Sequence, residues 1–129
     1  MSSHYFSEHL FNIFNQKLFT PFIANSLTMA DNLTQDLLFL YDLEELLISR
    51  KNELPKGSYT TKLFKKGIDK ISQKLGEEAV ELVIASKNKK QEEIVYESAD
   101  LIYHLLVLLA EKDIPLDRVI QELKVRSKK

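Results

Sequence analysis

No cysteine occurs among the 129 residues, which excludes disulfides, zinc–thiolate sites and thiol catalysis and fits a reducing cytoplasm. Glycine and proline number three each, too few for the turns of a many-stranded sheet, so the chain is expected to be all-α. Neither sign of charge dominates: 18 Lys and Arg stand against 19 Asp and Glu, for a net charge of −1. That balance argues against a nucleic-acid binder relying on bulk phosphate neutralisation, and any phosphate recognition has to be local. No apolar run approaches the roughly 20 residues that cross a bilayer. What the length does allow is one ordinary domain with a core of its own, hence a single catalytic module.

Composition divides the chain into a segment 1–28 and a domain 29–129. The first holds six of the twelve aromatics (Tyr5, Phe6, Phe11, Phe14, Phe19 and Phe22) and only two charged side chains, Glu8 and Lys17. It has no basic residue before Lys17 and no long apolar run, so it does not read as a secretory signal. Phe6, Leu10, Phe14 and Leu18 suit a short amphipathic helix ending near Pro21; the alternative is that translation starts at Met29.

From Asn32 onward the pattern is regular. Leu33, Leu37, Leu40, Leu43 and Leu47 share one side of a helix running to about Asn52, and Pro55 and Gly57 end it. Thr60 and Thr61 are placed to cap a short turn through Lys66, and Gly67 separates it from a helix over about 68–86. A third long helix is expected over 92–112, and Pro115 suits the first turn of a last one ending near Arg126. Four main helices result, with no strand. Residues 101–110, Leu-Ile-Tyr-His-Leu-Leu-Val-Leu-Leu-Ala, are apolar all round apart from His104 and need cover on every side. Three other helices of modest length do not easily supply it, so a homodimer or larger assembly with this helix central is expected.

Two acidic pairs carry the chemistry. Glu78 with Glu81, and Glu97 with Asp100, are each spaced i, i+3 and so share a helix face. Ile68, Ile71, Leu75, Ala79 and Leu82 form an apolar stripe bordered by Glu78, while Glu97 and Asp100 lie on the stripe of Leu101, His104 and Leu108. All four carboxylates are therefore expected to point inward. Like charges buried together require protons or cations, and oxygen-only ligands favour magnesium or manganese. A di-iron site is disfavoured because its Glu-x-x-His pairs do not occur. Lys62, Lys65, Lys66, Lys70 and Lys74 crowd the approach to the first pair, as a polyphosphate substrate requires. The plainer alternative is a solvated face, with Lys74 paired to Glu77 or Glu78, on a helical interaction module without catalysis.

The run Ser-Tyr-Thr-Thr-Lys-Leu-Phe-Lys-Lys-Gly at 58–67, the Gly-Glu-Glu-Ala-Val-Glu at 76–81 and the Glu-Ser-Ala-Asp-Leu-Ile-Tyr-His-Leu-Leu-Val-Leu-Leu-Ala at 97–110 resemble phosphoribosyl-ATP pyrophosphohydrolases of histidine biosynthesis. The likeness runs from about Leu33 to Lys124. Its acidic motifs alone would mark only the wider all-α nucleotide pyrophosphohydrolases; the Ser-Tyr-Thr and Tyr-His-Leu segments narrow it. The resemblance implies a dimerising helical fold and magnesium on Glu78, Glu81, Glu97 and Asp100. The implied reaction is water attack on the triphosphate, which releases pyrophosphate. It further implies Glu77 as a fifth ligand or water-activating base, and Lys62, Lys70 and Lys74 as phosphate contacts. Tyr59 and Thr60 would face the substrate, and His104 would either orient a ligand or be a satisfied core histidine. Many relatives carry a phosphoribosyl-AMP cyclohydrolase domain ahead of this module; residues 1–28 are too short and lack its cysteines, so the hydrolase step alone is expected.

Overall fold

The computed structural model describes residues 29–88 and 90–128, and the amphipathic helix considered for the first 28 residues lies outside them. Among the described residues there are five α-helices and no strand: α1 Met29–Glu53, α2 Tyr59–Lys66, α3 Ile68–Ala85, α4 Gln91–Glu111 and α5 Leu116–Arg126. No helix among them is long and apolar enough to cross a membrane. The chain divides into two compact units between Phe39 and Leu40. Of the first, the described part is the opening of α1, where Leu37, Leu38 and Phe39 are exposed. The second carries everything discussed below.

Within this second unit α3 lies along α4 in the most extensive helix pairing, and α2 packs on α3. Leu43 and Leu47 of α1, Leu63 of α2, Ile71 of α3 and Tyr103, Leu106, Val107 and Ala110 of α4 form the core. The expected α1 stripe is therefore buried from Leu43 onward, whereas Leu37 is 60% exposed. The apolar stretch of α4 is largely covered within the single chain, with Ile102 alone among residues 101–110 classed as exposed. The cover that a second copy was expected to supply to α4 thus comes largely from the chain's own helices.

The helix ends show why the chain breaks where it does. Ser58 is extended and its hydroxyl accepts the N–H of Thr61, so Ser58 caps α2 in place of the expected Thr60 and Thr61, which lie inside the helix and are buried. Gly67, at φ 78°, donates its N–H to Leu63 and Phe64 at the end of α2 and precedes α3; a side chain would be strained in that left-handed conformation. Lys51 donates to the carbonyls of Ala110 and Glu111 and pairs with Asp113 at 2.8 Å, placing a cation on the negative end of α4. Glu44 accepts the N–H of Leu116 at 2.6 Å and satisfies a donor at the start of α5. Replacing Ser58 with Ala is expected to lower stability by about 1 kcal/mol, read as a shift of the urea midpoint at unchanged slope.

Candidate metal and active site

The site is built on the α3–α4 pairing. Glu78 on α3 is 2% exposed and Asp100 on α4 is 4% exposed, so two of the four carboxyl groups face inward as expected. Glu97 is half-buried. Glu81 is exposed, which corrects the inward orientation expected for it: three residues advance a helix by about 300°, enough to carry Glu81 past the edge of the buried face. Even so, Glu78, Glu81 and Glu97 each bring a carboxylate oxygen within 4.8 Å of the others. Asp100 stands one turn along α4 from Glu97, outside that group of three. Its charge is nonetheless among those that act on Glu97.

Two observations make this cluster chemically incomplete. The Oε2 atoms of Glu78 and of Glu97 are both buried without a hydrogen-bond partner. A buried carboxylate oxygen in that state is costly, and a proton or a cation relieves it. The donors are all carboxylate oxygens, which suits a hard divalent ion such as magnesium. Burial, reinforced by the neighbouring charge of Glu81, a hydrogen bond shared with it and the charges of Asp100 and Glu78, pushes the Glu97 carboxyl up to about 7.

Folding therefore tightens proton binding at Glu97. Its stabilising contribution is whole below the ordinary carboxylate value of 4.5 and is lost as pH rises through about 7. Loss of this contribution is expected to lower the melting temperature of the metal-free protein between about pH 5 and about pH 8, and His104, held below its ordinary value by burial, acts in the opposite sense because its contribution is lost as pH falls. Glu97→Gln should flatten that part of the slope, and magnesium should restore the melting temperature at the higher pH.

Beside the cluster, the Lys74 ammonium is buried and bridges Glu78 Oε1 at 2.8 Å and Glu77 Oε2 at 2.9 Å. Burial alone would lower its pKa, but the bonds to Glu78 and Glu77 hold it above the usual lysine range. Glu77 also accepts from Gln73 at 2.7 Å, and its carboxyl is held low chiefly by the bond from Lys74. Glu77 thus faces Lys74 and Gln73 and is not one of the three converging carboxylates. Lys70 is part-exposed and donates to Gln73; Lys62 is exposed, as are Lys65 and Lys66.

His104 is 2% exposed and its Nδ1 lies 2.8 Å from the carbonyl of Asp100. A carbonyl only accepts, so Nδ1 carries the proton and Nε2 accepts from the Tyr59 hydroxyl at 3.2 Å. Burial, the largest influence, holds the imidazole below its ordinary pKa and favours this neutral form. Tyr103 packs edge-on against the ring at 5.3 Å. Half-buried Tyr59 therefore borders the cluster. Thr60 departs from its expected role at the substrate, since it is fully buried and bonded to Tyr103 and to Arg50.

A cavity of about 210 Å³ opens beside the cluster, lined by Glu81, Ile84, Ala85, Asn88, Glu93 and Glu97. Glu93 and Asn88 were not singled out from the sequence. Glu93 lies four residues before Glu97, and that i, i+4 spacing on one helix face was the signal for it. Its carboxyl is lowered by a bond from Asn88 and by Lys90.

Residues 40–127 match a family model described as phosphoribosyl-ATP pyrophosphohydrolase. A phosphoribosyl-ATP pyrophosphatase of Leptospira biflexa is 52% identical over 88 residues, covering 68% of this chain and 96% of the relative. One of that name from Listeria innocua is 57% identical over 90 residues, covering 70% and 86%. The histidine biosynthesis bifunctional protein HisIE of Bacillus subtilis is 54% identical over 85 residues, covering 66% of this chain and 41% of that protein. The chain thus spans about two fifths of the bifunctional relatives it matches first.

Proposed function

Because the chain belongs to the phosphoribosyl-ATP pyrophosphohydrolase family, we propose that it hydrolyses phosphoribosyl-ATP to phosphoribosyl-AMP and pyrophosphate in a magnesium-dependent step of histidine biosynthesis in the cytoplasm. The observation that carries this reading is the convergence of Glu78, Glu81 and Glu97 with two buried, unpartnered oxygens among them. Glu78, Glu81 and Glu97 would hold magnesium, with Asp100 close by to complete the set. When bound, the ion polarises phosphoryl oxygens, lowers the pKa of a coordinated water and offsets charge on the leaving pyrophosphate.

The chain's own residues divide the remaining work. Buried Glu78 and Asp100 hold the back of the site, while Glu81 and Glu97 line the cavity through which a triphosphate can reach it. Glu77 stands on the same turn as Glu78 as a fifth ligand or a water-activating base, with its carboxylate kept ionised chiefly by the bond from Lys74. Lys62 and Lys70, on the elements that lead up to Glu78, are the proposed phosphate contacts. Tyr59, at the first turn of α2, borders the substrate and is oriented by His104.

The same reading includes a homodimer that completes a bundle of the four main helices. Support comes from exposed apolar residues on the two site helices, Val80, Val83 and Ile84 on α3 and Val95 and Ile102 on α4. A stable monomer by light scattering would contradict it. Substrate profiling tests the reaction: pyrophosphate release from phosphoribosyl-ATP is expected to exceed that from ordinary nucleoside triphosphates by at least about a hundredfold in kcat/KM, as hydrogen-bonding sites discriminate. Equal rates would instead support a general nucleotide pyrophosphohydrolase.

A further inference from the structure

Glu78 is the most enclosed carboxylate of the cluster, and its two oxygens have different surroundings. Oε1 takes the Lys74 ammonium at 2.8 Å and lies 4.0 Å from His104 Nδ1. Oε2 is buried and has no hydrogen-bond partner. Lys74 is itself held, with its side chain 7% exposed and a second bond to Glu77 at 2.9 Å. A lysine in that position is poorly placed to leave for a substrate phosphate, since departure would strip buried Glu78 of the ammonium paired with it at 2.8 Å.

We infer that Lys74 is a positioning residue for Glu78: it pins Oε1 through an i, i+4 ion pair, so that Oε2 alone is presented to a cation. This rests on the metal reading given above and replaces the phosphate contact expected of Lys74. The positive charge needed by the substrate then falls to the exposed lysines before it. The same pairing gives Glu78 a single oriented oxygen, which suits an ion that keeps several waters and takes few protein oxygens.

Charge alone predicts the opposite of orientation. Removing a cation next to a metal site strengthens binding of a second cation, because like charges repel. Loss of an orienting partner weakens it, typically by about 10- to 100-fold for groups that hold a metal ligand. Manganese titration of the substrate-free 129-residue chain separates the two. Lys74→Met is expected to weaken manganese binding about tenfold or more, and Lys74→Arg, which keeps a charged donor, to stay within about threefold of wild type. Lys74→Gln keeps a polar head in the same pocket and serves if the Met variant does not fold; it is expected to weaken binding likewise. In a Glu78→Gln background Lys74→Met should add no further loss, because Lys74 acts through Glu78.

With magnesium and phosphoribosyl-ATP, kcat should fall more than KM rises. Unchanged or tighter manganese binding in Lys74→Met and Lys74→Gln would overturn the assignment, as would a change confined to KM, which marks a phosphate contact. Wild-type protein that binds no manganese would overturn the metal reading and this inference with it. Wild-type binding unaltered in the Lys74 variants would remove the inference alone.

Discussion

Glu78→Gln is expected to lower kcat for phosphoribosyl-ATP by about a thousandfold while the helical content stays intact. Metal-centred charge stabilisation is worth several kcal/mol, and about 4 kcal/mol corresponds to a factor near 10³ in rate. The substitution keeps the size of the side chain and leaves an amide oxygen for Lys74, whose charge stays paired with Glu77 at 2.9 Å, so the helices are expected to persist at some cost in stability. What it removes is the anionic charge of the carboxylate at the most buried of the three converging positions. Glu81→Gln and Asp100→Asn are expected to abolish magnesium-dependent turnover in the same way. The opposing reading, a helical interaction module, makes a different forecast: neutralising any of these groups relieves repulsion, raises the melting temperature and leaves no activity to lose. Circular dichroism together with pyrophosphate release on the three variants decides between them.

Ile71→Ala is expected to cost roughly 3 kcal/mol of stability, within the range of about 2–5 for truncating a buried isoleucine. Ile71 is 0% exposed on α3, two turns before Glu78 and one before Lys74. No polar group is disturbed, so the loss is one of buried surface and of the cavity left behind. For a unit of this size that corresponds to a fall of roughly 15 °C in melting temperature. The urea midpoint measures it. Magnesium-dependent activity per folded molecule should stay within a few-fold of wild type, because the carboxylates themselves are untouched. A loss of only a few tenths of a kcal/mol would mean that the α3–α4 pairing is looser than the burial of Ile71 indicates.

Most of the architecture can be read from periodicity and punctuation. The helix boundaries at Pro55, Gly67 and Pro115 follow from residues that cannot continue a helix or that permit a positive φ, and the observed ends fall close to them. The i, i+3 spacing placed both acidic pairs on the two helices that prove to be neighbours. The misses have local causes. Ser58 and Thr60 carry the same hydroxyl chemistry, and what makes Ser58 the cap is where the backbone leaves its extended conformation, which composition does not reveal. Thr60 is instead spent in the core, on Tyr103 and Arg50, partners 43 and 10 residues away. Glu81 sits beyond the edge of the buried face because a helical stripe has a width that spacing alone leaves undefined.

Lys74 shows the same limit from the other side. Its i, i+4 relation to Glu78 is visible in the sequence, but the burial that turns an ordinary surface pair into a held group is not. The cover over α4 is likewise a tertiary fact. An all-apolar circumference shows that cover is needed, and whether the same chain or a second copy provides it depends on how the other helices pack.

The most direct measurement follows phosphoribosyl-ATP, phosphoribosyl-AMP and pyrophosphate together during incubation of the purified chain, with magnesium and with a chelator in its place. One phosphoribosyl-AMP and one pyrophosphate are expected for each substrate consumed, with turnover that disappears under the chelator and returns when magnesium is restored. Turnover that persists without a divalent ion, or release of single phosphates in place of pyrophosphate, would contradict it.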